Sequence, residues 1–140
     1  MSAQPPPVNI PIGLQRDNET RGFFEKLTKS LYLVWNKQQK HNLGQFLDLT
    51  VASGVITVTS PLHQVIGEGG AADDVDTING GVEGDEIVLR AQDSAVTITF
   101  MDGTGNLALS GNFAADHNSD LLTLVFDGTN WLEKSRSNNA

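Results

Sequence analysis

Apolar and polar residues alternate along most of the chain beyond Gly44, and a helical period appears only once, ahead of it. Alternating runs fall at 86–91, 96–101, 106–110, 121–126 and 130–134. Turn formers separate them: Gln92-Asp93-Ser94, Asp102-Gly103-Thr104-Gly105, Gly111-Asn112 and Asp127-Gly128-Thr129-Asn130. Period-two alternation rich in β-branched residues, broken by Gly, Asp and Asn, predicts antiparallel strands joined by tight turns. The Asp127-Gly128 pair offers the positive-φ positions that a two-residue hairpin requires. Weaker runs precede these at 45–52, 55–60, 63–66 and 75–78, with Ser53-Gly54 as the first turn. Alternation picks out Phe100, Leu107, Leu109, Leu122, Leu124 and Phe126 as core residues. Trp131, just past a turn, is expected to anchor the last hairpin by burying a large ring.

Residues 17–38 are the single helical stretch. Asp17 or Asn18 can cap it, and Lys37 and Lys40 complement its C-terminal dipole. Phe24, Leu27, Leu31 and Val34 follow a 3-4-3 spacing, while Phe23, Leu27, Leu31 and Trp35 share an i, i+4 row. A short seam of this kind is marginal unless helices associate, so a trimeric bundle is expected ahead of packing on the chain's own sheet. Ahead of it, Pro5, Pro6, Pro7 and Pro11 forbid helix and favour an extended path. Val8, Ile10, Ile12 and Leu14 alternate among these prolines, which suits an arm lying along a neighbouring subunit. The organisation read from the sequence is an arm (1–16), a helix and link for attachment and oligomerisation (17–43), and a β-rich domain (44–140). The β-rich domain is expected to be a small antiparallel β-sandwich or a short β-solenoid. A faint duplication, Val55-Ile56-Thr57-Val58-Thr59 against Ala95-Val96-Thr97-Ile98-Thr99, suits either two sandwich layers or two solenoid coils.

Charge and chemistry narrow the function. The net charge of −8 opposes contact with phosphate backbones, so nucleic acid is not an expected partner. The chain has no cysteine, which removes disulfides and thiolate metal sites. It has no long apolar run for a membrane span, and its first residues do not resemble a signal peptide. His41, His63 and His117 are too scattered for a zinc motif. Glu68, Asp73, Asp74 and Asp76 lie in a Gly-rich acidic stretch that matches no calcium-loop spacing. No nucleophile elbow is present, and the adjacent Asp85 and Glu86 point to opposite faces of a strand rather than into one cleft. No catalytic residue, metal or cofactor is assigned. Arg90 and Arg136, rare bases in an acidic region, are expected to pair with Asp or Glu, here or across a subunit boundary.

Several segments carry a family likeness: Val88-Leu89-Arg90-Ala91, Val96-Thr97-Ile98-Thr99, Gly105-Asn106-Leu107-Ala108-Leu109, residues 122–133, and Ser135-Arg136-Ser137-Asn138-Asn139. Together, from about Gly54 on, they resemble the β-rich C-terminal modules of tailed-bacteriophage virion proteins. Residues 23–35 bear a looser likeness to attachment helices of phage appendages. The resemblance implies a non-enzymatic structural protein of the virion, with itself and the major capsid protein or other virion proteins as partners. A homotrimeric capsid decoration (cement) protein or head fibre is the first expectation, on the capsid surface. The alternative is a short tail fibre or baseplate component that grips host glycans.

Overall fold

A computed structural model describes residues 3, 5–7, 18–39 and 42–139, and within the helix it describes the side chains of residues 21–31. The chain divides into two units, Met1–Asn42 and Leu43–Ala140. The proposed arm residues Val8, Ile10 and Ile12 lie outside the described residues.

In the first unit, α1 spans Asn18–Gln39. It contains no proline, one glycine (Gly22), and an exposed i, i+4 ion pair between Arg21 and Glu25 at 3.4 Å. The Thr28 hydroxyl donates to the Phe24 carbonyl at 2.8 Å, so its polar atom is satisfied within the helix.

The second unit is mainly β and solenoid-like, with about three turns. The first turn holds β1 (Leu47–Thr50) and β2 (Val55–Thr57). The second holds β3 (Leu62–Ile66), β4 (Ala72–Val75) and β5 (Thr77–Asn79). The third holds β6 (Glu86–Ala91), β7 (Thr97–Phe100) and β8 (Leu107–Ala108). Successive turns stack in parallel: β1 on β3, β3 on β6, β2 on β5, and β4 on β7. Register therefore builds columns through the stack. Leu47, His63 and Leu89 form one column, and Leu49, Val65 and Ala91 form another. Between them Asp48, Gln64 and Arg90 form a third, of opposite parity and facing outward.

The chain then reverses. β9 (Phe113–Ala115) runs antiparallel to β7, and β10 (Leu121–Phe126) runs antiparallel to β6. β11 (Trp131–Ser137) returns along β10, with a register shift after Thr123, and lies parallel to β8. The reversal closes the third turn. The opposite end is blunted differently. Asp73 stands in the inward column that continues as Ile98 and Ala115, and its carboxylate accepts the Glu68 and Asp74 N–H groups. An inward charge on β4, at the edge of its sheet, discourages addition of another strand there.

Three expectations are corrected. Strands within the stack are parallel, and antiparallel pairing is confined to β6–β10, β10–β11 and β7–β9. The turn after Phe126 is a four-residue loop rather than a two-residue hairpin. Only Gly128 has positive φ there, and the Asp127 carboxylate accepts the N–H groups of Thr129 and Asn130. The two-residue turn lies instead at Ser53-Gly54, where φ is 51° and 78°, and Ala52 and Val55 exchange both backbone bonds across it. The two similar Val/Thr segments lie in different sheets, on β2 and β7, so the solenoid repeat is not the duplication read from the sequence.

The interior of the second unit is one cluster running from Val51 to Trp131. Phe100, Leu107, Leu122, Leu124 and Trp131 are buried within it, and Leu109 and Phe126 pack half-buried against it. Phe100 and Phe113 stack with centroids 6.5 Å apart. Trp131 lies 4.9 Å from Phe126, and its indole N–H donates to the Ile78 carbonyl at 3.0 Å.

Candidate assembly surface

The described face of α1 combines good helix formers with an apolar row at i, i+4 spacing. Phe23, Leu27 and Leu31 are 62%, 42% and 53% exposed. Burying side chains of this size is worth about 1.5–3 kcal/mol each, so leaving all three in water forgoes a large fraction of a small domain's stability. Phe23 also meets Phe24 edge-on at 5.7 Å, and Phe24 is half-buried. Val34 and Trp35 belong to α1, but their side chains lie outside the described set. Among residues 21–31 the nearest neighbours of the row on the helical wheel are Phe24 and Ser30, both uncharged, with Thr28 and Lys26 next on either flank. Glu25 and Lys29 fall on the far side.

On the second unit, the outward column makes a polar ladder. Gln64 donates to Asp48 at 2.6 Å and accepts from Arg90 at 2.9 Å. The Arg90 guanidinium also lies over the Phe46 ring at 4.2 Å, a cation–π contact. Within the chain, an amide and an aromatic face thus stand where a carboxylate partner for Arg90 was expected. Register explains this, because Gln64, not an acid, is the residue beside Arg90. Arg136 does pair with an acid, Glu133, on its own strand. It also donates to the carbonyls of Gly111 and Asn112 and lies over Phe113 at 5.2 Å. The Arg136 bond holds the Glu133 carboxyl below its ordinary value, against the effect of partial burial.

The titratable groups that are fully buried serve the fold. His63 accepts the N–H groups of Thr59 and Ser60 at Nε2, at 3.1 and 3.0 Å, which leaves Nδ1 to donate to the Leu47 carbonyl at 3.2 Å. It pins the corner between the first two turns. Asp120 accepts the N–H groups of His117 and Asn139. Burial pushes its carboxyl up, but the hydrogen bonds from Asn139, His117 and Asp116 outweigh this and hold it below the ordinary value. Both residues escaped the sequence reading. His63 was legible as an inward position, sharing its face with Val65, whereas Asp120 sat in what read as a polar loop.

A groove of about 200 Å³ is lined by residues 58–61, Gly80, Asp85, Glu86 and Ile87. Its carboxylates are engaged: Asp85 accepts the Val82 N–H, and Glu86 pairs with Lys134 at 2.8 Å. Among the described residues no cluster of three or more His, Asp or Glu could hold a metal ion, and Glu68, Asp73, Asp74 and Asp76 do not form one.

Charge divides sharply between the units. Residues 1–42 carry six basic and three acidic side chains, a balance of +3. Residues 43–140 carry three basic and fourteen acidic ones, a balance of −11, which together give the −8 of the whole chain. No known protein family matches this chain, and no curated protein is significantly similar to it.

Proposed function

We propose that this chain is a structural protein of a tailed-phage virion, a homotrimeric capsid decoration or head-fibre protein. In this reading residues 1–42 attach and associate, and the β unit is displayed. One observation carries the proposal: a row of large apolar side chains on α1 stands exposed, and the β unit has a buried interior of its own that runs from Val51 to Trp131. Such a row is stable only when covered, and a lattice or a set of sister helices covers it by repetition. The segment likeness from Val88 to Asn139 supports the virion as the place. The engaged groove carboxylates fit a role that rests on contact area rather than on chemistry.

The test is to locate the protein on intact particles by electron microscopy and to count its copies by quantitative mass spectrometry. A copy number that follows the capsid lattice is expected. A copy number matching a single tail would move the assignment to a short tail fibre, and absence from the particle would overturn it.

A further inference from the structure

The stack of turns has an open end at β1. Among the described residues β1 is the last strand of its sheet, and the inward columns stop there. Leu47 is 45% exposed and Leu49 is half-buried, whereas the residues that continue their columns, His63 and Leu89, Val65 and Ala91, are all buried. We infer that the β1 edge accepts an added strand from another protein, an extended segment with an apolar–basic–apolar pattern. The inference goes beyond the reading above and does not need it.

Backbone direction shows which groups the edge offers. The Val51 N–H donates to the Ile66 carbonyl, and the Gln92 N–H donates to the Val65 carbonyl. Inward residues of these stacked strands therefore turn their backbone groups toward the next turn, and outward residues turn theirs toward the previous one. Leu47, Leu49 and Val51 thus face β3. Asp48 and Thr50, both exposed, aim their N–H and carbonyl groups at the open edge. A row of such groups is a template for strand addition. On β4 the inward Asp73 discourages it, but the inward positions of β1 are apolar. Two apolar side chains on an added strand would extend the Leu47 and Leu49 columns and take both residues out of water.

The outward column selects the residue between those two. Arg90, Gln64 and Asp48 run from cation through amide to carboxylate, and Gln64 is bonded to both neighbours. A Lys or Arg next in this column stands beside Asp48 as its opposite charge. An acid there would make a like-charge pair on adjacent strands, which is destabilising. The balance of −11 on the β unit acts in the same sense at longer range. It attracts a basic segment and turns away the same edge of a second copy.

The experiment titrates the isotope-labelled full chain with the peptide acetyl-Ser-Val-Lys-Val-Thr-Val-Ser-amide, followed by amide chemical shifts at about 20 mM NaCl. The Asp48 and Thr50 N–H signals are expected to move first and furthest, and to gain protection from hydrogen exchange. The same peptide with Glu in place of Lys should bind about fivefold more weakly. Asp48→Lys should reverse that preference. Thr50→Pro removes an N–H that the sheet does not use, so it should keep the near-ultraviolet circular dichroism of Trp131 and lose the peptide. No shift at Asp48 and Thr50 up to the peptide's solubility limit overturns the inference. Equal binding of the Lys and Glu peptides overturns the basic partner, and undiminished binding by a folded Thr50→Pro chain overturns the edge as the site. Each of these failures leaves the virion role standing.

Discussion

Ile78 is the joint at which three segments meet, and single side chains decide its stability. Asn106 accepts the Ile78 N–H and donates to its carbonyl, both at 2.8 Å, so one amide side chain stands in for a strand beside β5. The Trp131 indole donates to the same carbonyl, and the Trp131 backbone N–H donates to Asn106. Removing the amide orphans the Ile78 N–H inside the stack. Asn106→Ala is therefore expected to cost about 1–3 kcal/mol in urea denaturation followed by circular dichroism. Trp131→Ala should cost about 3–5 kcal/mol, because it also leaves a cavity against Phe126. Gly105, at φ 55°, comes so close to the Asp76 carbonyl and the Thr77 hydroxyl that a Cβ has no room. Gly105→Ala should destabilise by about 1–3 kcal/mol, through both strain and overlap. Trp131 was legible as an anchor, being a large ring just past a turn. Asn106 was not, because an Asn next to a Gly reads as turn chemistry whether or not its side chain completes a distant sheet.

At the scale of elements, the end of β11 is held by a latch rather than by apolar packing. Asp120 accepts the Asn139 N–H at 2.7 Å, and the Asn139 side chain donates to the Ser119 carbonyl at 2.7 Å. The folded carboxyl lies below its ordinary value of 3.8, so the unfolded chain takes up the proton first. The latch's contribution is complete above that value and is lost as pH falls through and beneath it. Glu133, held down by Arg136, acts in the same direction on the same strand. Wild-type stability should fall between about pH 5 and pH 2, and Asp120→Asn should start lower and fall less steeply, as measured by denaturant titration at each pH. The strands themselves were largely visible: eight alternating runs coincide in place with β1, β2, β3, β6, β7, β8, β10 and β11. Their pairing was not. Alternation is identical in parallel and antiparallel sheets. The deciding contacts join residues such as Leu47 with His63 and Leu62 with Val88, whose spacings differ from turn to turn. β9 was missed because Phe113-Ala114-Ala115 is too short and too rich in alanine to show a period.

For the whole molecule, the two units should be separable in energy as well as in sequence. The buried cluster begins at Val51, and the half-buried apolar residues packed on it begin at Leu49. Phe46, under Arg90, also lies beyond the division at residue 42. A chain starting at Leu43 therefore keeps the buried cluster and the Arg90–Phe46 contact. Domains of this size have a stability of about 5–15 kcal/mol. The fragment should unfold with the denaturation midpoint of the β unit in the full chain, and should remain monomeric at concentrations where the full chain associates. The comparison tests the premise that the α1 row is free for other copies. If the fragment were less stable than the β unit of the full chain by more than about 1 kcal/mol, α1 would be supporting its own solenoid, since one covered Leu or Phe contributes at least that much. The row could not then serve a seam between copies at the same time. An equal midpoint together with loss of association would assign all the binding energy of assembly to the first 42 residues, and leave the β unit as the displayed, self-sufficient body.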